Sequence, residues 1–172
     1  MDRNSALALL IRPEETSDQA TIYDITKRAF LPMPFAAGDE QDLINTLREA
    51  GALSLSIVAE IHGKVVGHMA LSPATHESGE DHWFGLGPIS VEPALQRTGV
   101  GRALIAEATA WMKGRHARGC ILVGDVNYYT RHGFLPAPAH APEGEPPEYF
   151  MVRPLSGNPP DGRFKFHPAF HA

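Results

Sequence analysis

The run Gln96-Arg97-Thr98-Gly99-Val100-Gly101 sets two glycines around one residue, directly ahead of the amphipathic segment 102–113. A helix that starts there leaves its first N–H groups without partners, and such a start is a ready anion site. Glycine lets a ligand approach the backbone, because no Cβ intervenes. The chemistry to expect is a cradle for phosphate or pyrophosphate; the bland alternative is a tight turn. Two familiar cradles are excluded by the residues themselves. The dinucleotide fingerprint needs a third glycine where Leu104 stands. The nucleotide P-loop needs Lys-Ser or Lys-Thr after Gly101, and neither follows.

A strand before this loop and a helix after it must hold it in place. Trp83 opens an apolar run that continues through Ile89, Ser90 and Val91. Pro93 stops it, because proline has a fixed φ and no N–H. Upstream, residues 6–12 read as a first strand ended by Pro13. Thr16, Ser17 and Asp18 are candidate caps for a helix on which Ile22, Ile25, Ala29 and Phe30 recur at helical spacing. Residues 39–50 form a second helix, with Leu43, Ile44 and Leu47 on one face and Gly51 at its end. Two strands, 53–61 and 64–72, flank a His62-Gly63 turn, and 73–81 reads as a polar loop. Downstream come a buried strand at 120–123, a short helix at 126–132 and a strand opening at Phe134. A proline-rich surface loop spans 136–147, and a further strand spans 149–153. From about Pro154 the chain is expected to be loosely structured, with a short strand at 163–166. The order of elements suits a mixed α/β sheet.

Gln96, Gly99 and Gly101, after a strand ending in an apolar-x-Val-x-Pro segment, resemble the signature of the GNAT superfamily of N-acetyltransferases. Gly87-Pro88-Ile89-Ser90-Val91-Glu92-Pro93 and Tyr128-Tyr129-Thr130-Arg131-His132-Gly133-Phe134 look like its YhbS-like branch. The specific matches run over residues 83–134. The resemblance implies a GNAT-type fold: a mixed, mostly antiparallel central sheet flanked by helices on both faces, in a single N-acetyltransferase domain over 1–172. It implies acetyl-CoA as the acyl donor co-substrate and a primary amine, of a small molecule or peptide, as the acceptor in a direct transfer. The amides of Arg97, Thr98, Gly99, Val100, Gly101 and Arg102, together with Gln96, would hold the pyrophosphate. The backbone of Ile89, Ser90 and Val91 would pair with the pantetheine arm, and an amide near Ile89 would polarise the thioester carbonyl. Arg97 and Arg102 add charge near the phosphates, or are simply solvated. Tyr129, four residues before Gly133, matches the tyrosine that points at the coenzyme sulfur. With an ordinary pKa near ~10 it can protonate a departing thiolate.

Two departures stand beside the match. Many family members carry a glutamate early in the fourth strand, where this chain has Gly85. Glu60, Glu77, Asp81 and His82 are near in sequence order, without a motif to support any of them as the base. An asparagine common seven residues before the tyrosine is Leu122 here, and Asn127 is in another register.

The 172 residues allow one domain with a full core. A net charge of −5 and the lack of a basic run argue against nucleic acid and anionic membrane as partners. The single cysteine, Cys120, lies in an apolar run; it excludes an internal disulfide, fits a reducing compartment and reads as a small buried residue. No leader or membrane span is read at the N-terminus, and a cytoplasmic setting is expected. The nine histidines show no metal-ligand spacing. Late edge strands would need cover, which a second copy in a homodimer could supply. The acceptor pocket is expected from 31–40, 73–81 and 136–148, where Asp39, Glu40, Glu77, Glu143 and Glu145 would suit a cationic amine, or form a solvated acidic loop. A non-catalytic acyl-CoA-binding or sensing module is the alternative to an enzyme.

Overall fold

Apolar side chains at alternate positions make the strands, and those at three- and four-residue spacing make the helices. The computed structural model describes residues 8–34 and 36–171. In chain order these form β1 (Leu9–Pro13), α1 (Gln19–Phe30), α2 (Glu40–Glu49), β2 (Leu55–Ile61), β3 (Lys64–His76) and β4 (Trp83–Val91). Then follow α3 (Val100–Gly114), β5 (Gly119–Val123), α4 (Val126–Thr130), β6 (Leu135–Pro136), β7 (Phe150–Pro154) and β8 (Phe164–Lys165). Ala6 and Leu7, part of the expected first strand, lie outside the described residues.

The sheet runs β1-β2-β3-β4-β5-β7-β6, with β8 added to the far end of β3. Among the described residues only β4 and β5 pair in parallel; the other ladders are antiparallel. Both faces are covered by helices. Leu104, Ile105, Ala108 and Met112 of α3 pack with Ile57, Ala59, Met69 and Leu71 on one face. Ile22, Ile25 and Ile44 of α1 and α2 pack with Val58 and Val65 on the other. Ile57, Val58 and Ala59 are consecutive, so their side chains alternate between the two layers. The expected architecture, mixed and mostly antiparallel with helices on both faces, is the observed one.

One ladder is incomplete, and it matters most. β4 pairs with β5 only from Trp83 to Gly85, against Gly119 to Ile121. On its other edge β4 stays paired with β3 as far as Val91. From Leu86 to Val91 the β5 side of β4 therefore carries backbone groups without a strand partner. The sheet opens there into a wedge.

Two expectations are corrected. β3 does not stop at Ser72; it runs to His76, with Pro73 opposite Phe84 and Ala74 opposite Trp83. Residues 65–72 are buried without a break, and from Pro73 on the burial alternates, with Pro73 and Thr75 exposed and Ala74 and His76 buried, so the strand continues past the proline with one face covered. The tail beyond Pro154 is likewise not loose. β8 pairs with Thr75 and His76, and Phe164 and Phe166 bury in a cluster with Trp83, Ile121 and Phe150. Phe164 meets the Trp83 ring edge-on at 4.8 Å. The short strand expected at 163–166 is present as β8, and Phe164 within it and Phe166 just after it hold the tail down.

Beneath α1 and α2 lies a chain of polar groups. Arg48 reaches Glu14, Ser56 donates to the same carboxylate, and the Ser56 hydroxyl also meets His68 Nε2 at 2.8 Å. Because the one Ser56 proton goes to Glu14, the ring Nε2–H must donate to Ser56. His68 Nδ1 is then a buried acceptor without a partner among the described residues. His68's cross-strand neighbour Ser90 meets the Thr26 hydroxyl through its own at 3.1 Å, which ties α1 to β4.

Candidate functional site

The wedge between β4 and β5 opens into a cleft of about 1070 Å³. Its floor is the open part of β4, residues 86–91. At one end stands the loop that leads into α3. Arg97 and Gly99 both adopt left-handed backbone, at φ of 67° and 98°, which curls the loop toward the helix axis. Gln96 Nε2 donates to the Val91 carbonyl at 3.4 Å, and the Thr98 hydroxyl donates to the Leu95 carbonyl. The first bond of the helix runs from the Ala103 N–H to the Gly99 carbonyl at 3.1 Å. The N–H groups of Val100, Gly101 and Arg102 therefore precede the helical ladder, and their partial positive charge adds to that of the helix end. Arg97, Arg102, Arg131 and His132 line this end of the cleft. It is built to hold an anion.

The structure brings Ile89, Ser90, Val91, Gln96, Arg97, Thr98, Gly99, Gly101, Arg102 and Tyr129 to the cleft wall. Val100 is the exception: its side chain is buried in the core with Leu104, and it can offer the cleft only its backbone N–H. Tyr129 is carried on α4, whose start is fixed by the Asp125 carboxylate accepting from the Asn127 and Tyr128 amides. Its ring packs edge-on to Tyr128 at 4.9 Å and to Phe134 at 5.6 Å. Burial pushes its phenol pKa well above the usual value, with Tyr128 and Asp125 adding to the shift, so the group stays protonated at neutral pH.

Tyr128 was not legible as a site residue. It is half-buried on the cleft wall, and a Cβ placed on Gly101 would lie 2.4 Å from its hydroxyl. Arg131 and His132 also reach the cleft, and their only local signal is their place just after Tyr129. Burial lowers the His132 pKa, and Arg102, Arg153 and Arg131 lower it further. Cys120 is buried, its thiol pushed up to about 12 by burial, which makes it a poor nucleophile.

The other end of the cleft is different in character. Phe30, Met33 and Leu43 come from α1, α2 and their connection, and Phe166 and Phe170 come from the tail. The last two rings stack at 4.8 Å with 20° between their planes. Asp39, Glu40 and Glu145 reach this wall; Glu77 and Glu143 do not. No residue from 73–81 lines the cleft, so that segment is not a wall of the pocket as expected. None of Glu60, Asp81 or His82 lines it either, and Glu60 pairs with Arg12 at 2.7 Å. A side chain at Gly85 would be crowded: a Cβ there would lie 3.1 Å from Cδ1 of Phe166, which would have to give way slightly.

Residues 20–134 match the acetyltransferase (GNAT) family. The chain belongs to that family. A GNAT family acetyltransferase from Brucella melitensis, solved in complex with acetyl-CoA, is 41% identical and superposes with a TM-score of 0.82, covering 94% of this chain and 97% of its own. The N-acetyltransferase YhbS of Escherichia coli is 30% identical over 133 residues, 77% of each chain. Its structure in complex with CoA gives a TM-score of 0.83, over 95% of this chain and 92% of that one. A second Escherichia coli N-acetyltransferase, YjhQ, is 31% identical over 157 residues, 84% of this chain and 83% of its own. This GNAT chain therefore shares both sequence and fold with acyltransferases that use acyl-CoA. Among its described residues no helix is long and apolar enough to cross a membrane.

Proposed function

We propose that this acetyltransferase moves the acetyl group of acetyl-CoA directly to a primary amine, as a single N-acetyltransferase domain working in the cytoplasm. The observation that carries the reading is the wedge. One continuous cleft joins the unpartnered edge of β4, the anion-binding start of α3 and the protonated phenol of Tyr129. The complexes of the Brucella relative with acetyl-CoA and of YhbS with CoA support the same ligand here.

In this reading the pyrophosphate lies against the N–H groups of Val100, Gly101 and Arg102, with Gln96, Arg97, Thr98 and Gly99 shaping the loop and Arg102 adding charge. The pantetheine arm continues the sheet as a strand would, on the backbone of Ile89, Ser90 and Val91. An amide near Ile89 polarises the thioester carbonyl as the amine attacks it. The C–S bond breaks, and Tyr129 gives the thiolate its proton.

Thermal unfolding with and without acetyl-CoA tests binding. Saturation at 100 times the dissociation constant stabilises the folded state by roughly 2.7 kcal/mol, and no shift at millimolar acetyl-CoA would overturn the reading. Amine-dependent thiol release tests catalysis. A second reading, a non-catalytic acyl-CoA sensor, draws support from Gly85, where Phe166 fills the space a family glutamate would use. It predicts the same thermal shift with no thiol release for any amine. A homodimer would form on the β6 edge, where Leu135 is exposed. Light scattering that gives monomer at all concentrations would remove it.

A further inference from the structure

The cleft is polarised along its length. Its α3 end carries arginines and free amides, and its far end carries aromatic rings and acids. The acids are not equivalent. Glu40 is committed to the Ala37 and Gly38 amides, at 2.7 and 3.1 Å. Asp39 is exposed to solvent. Glu145 is only 20% exposed and lies on the same wall as Phe166 and Phe170. Its one ion pair among the described residues is with His171 Nε2, at 4.0 Å.

The mount of Glu145 is firm. The Glu145 N–H donates to the Pro142 carbonyl at 3.2 Å, and Ala141 and Pro142 are buried. His140 Nδ1 meets the Gly162 carbonyl at 2.8 Å, which pins this loop to the tail. A half-buried carboxylate fixed in an apolar wall, facing a cleft, calls for a cation that brings its own apolar surface.

Resting on the acetyl-transfer reading above, we infer that the acceptor is a cationic primary amine with an apolar arm. Phe30, Phe166 and Phe170 take the arm, and Glu145 takes the ammonium and its first proton. Glu145 then does what no side chain on β4 at Gly85 can do. The protons balance. An ammonium loses two on its way to the amide: one passes to Glu145 and on to solvent. The other leaves nitrogen after the C–N bond forms and replaces the proton that Tyr129 gives to sulfur. Burial raises the pKa of the Glu145 carboxyl, with His171 opposing, and a raised pKa makes a better proton acceptor.

The test uses the whole protein with three probes: 2-phenylethylamine, ethanolamine and phenylalanine. They share a primary amine; the second lacks the arm, and the third adds a carboxylate beside the nitrogen. Wild type should acetylate 2-phenylethylamine with kcat/KM at least ~10-fold above ethanolamine, since one apolar contact is worth about that factor or more, and ~10-fold above phenylalanine, whose carboxylate is repelled by Glu145. Glu145→Gln should bind acetyl-CoA in calorimetry as wild type does, yet lose ~10²-fold in kcat/KM for 2-phenylethylamine. Glu145→Asp should recover part of the loss. Equal turnover of the three amines, or full turnover by a folded Glu145→Gln protein, overturns the inference and leaves the acetyl-transfer reading standing. Failure of wild type to bind acetyl-CoA overturns both.

Discussion

His68 offers a perturbation whose size follows from the structure. Its ring is fully buried, its pKa lowered to about 3 from an ordinary 6.5 by burial, with Arg48 lowering it and Asp18 opposing. Above pH 6.5 the ring is neutral in both folded and unfolded chains and has no effect on the slope. Below it, the unfolded chain takes a proton that the folded chain refuses, so stability falls as pH falls. The slope approaches about 1.4 kcal/mol per pH unit, or about 2 kcal/mol between pH 6.5 and 5. That is a sizeable part of the ~5–15 kcal/mol that keeps a domain folded. Asp18, held low chiefly by its hydrogen bond from Arg12, loses its contribution only below the usual carboxylate range, outside this window. His132 shifts in the same direction as His68, so a variant comparison is needed to isolate the buried ring. His68→Gln keeps an N–H donor for Ser56 and does not titrate. Urea unfolding at pH 7, 6 and 5 should show wild type losing about 2 kcal/mol more than the variant. Equal losses, or an imidazole NMR titration of the folded protein centred near 6.5, would refute the reasoning.

Tyr129→Phe keeps the ring packed on Phe134 and should lower kcat by ~10²-fold with little change in the KM for acetyl-CoA, read by steady-state kinetics once an acceptor is in hand. Tyr128→Phe should not be silent, because its hydroxyl overlies Gly101; acetyl-CoA affinity measured by calorimetry should change. Gly101→Glu should abolish acetyl-CoA binding in calorimetry while circular dichroism shows a folded chain, since the Cβ pushes the Tyr128 hydroxyl aside and the negative charge repels the anion. On binding acetyl-CoA, the amides of residues 86–91 should exchange more slowly by mass spectrometry, as the open edge of β4 gains a partner; unchanged exchange at saturation would count against strand-like pairing.

Much of this was readable from the chain, for definite reasons. The Gln96–Gly101 spacing is local, and local spacing survives folding: loop, helix start and preceding strand stand where the residues put them. Tyr129 reaches the cleft wall, as its place four residues before Gly133 leads one to expect. Pro73 misled, since proline normally ends a strand, yet β3 tolerates it and alternates beyond. The far wall of the cleft was illegible for another reason. Phe30, Leu43, Glu145, Phe166 and Phe170 come from separate stretches, and no period or motif joins them. The packing of the tail onto Trp83 and Phe150 brings Phe166 and Phe170 to the wall that Phe30 and Leu43 reach from α1 and α2. Glu145 stood among several acids in sequence; burial is what separates it from them.

The contact between Gly85 and Phe166 constrains how this chain could change by descent. A side chain at 85 must displace a ring 3.1 Å away, and overpacking of this kind costs ~1–3 kcal/mol. A carboxylate there would also be buried against an aromatic face. Trimming Phe166 first opens the space, though it leaves a cavity until something fills it. The two positions are therefore coupled: a side chain at 85 costs less once 166 has become small. A lineage passing between the two ways of furnishing the acceptor end meets the lower barrier in that order, through an intermediate that has neither the glutamate nor the ring.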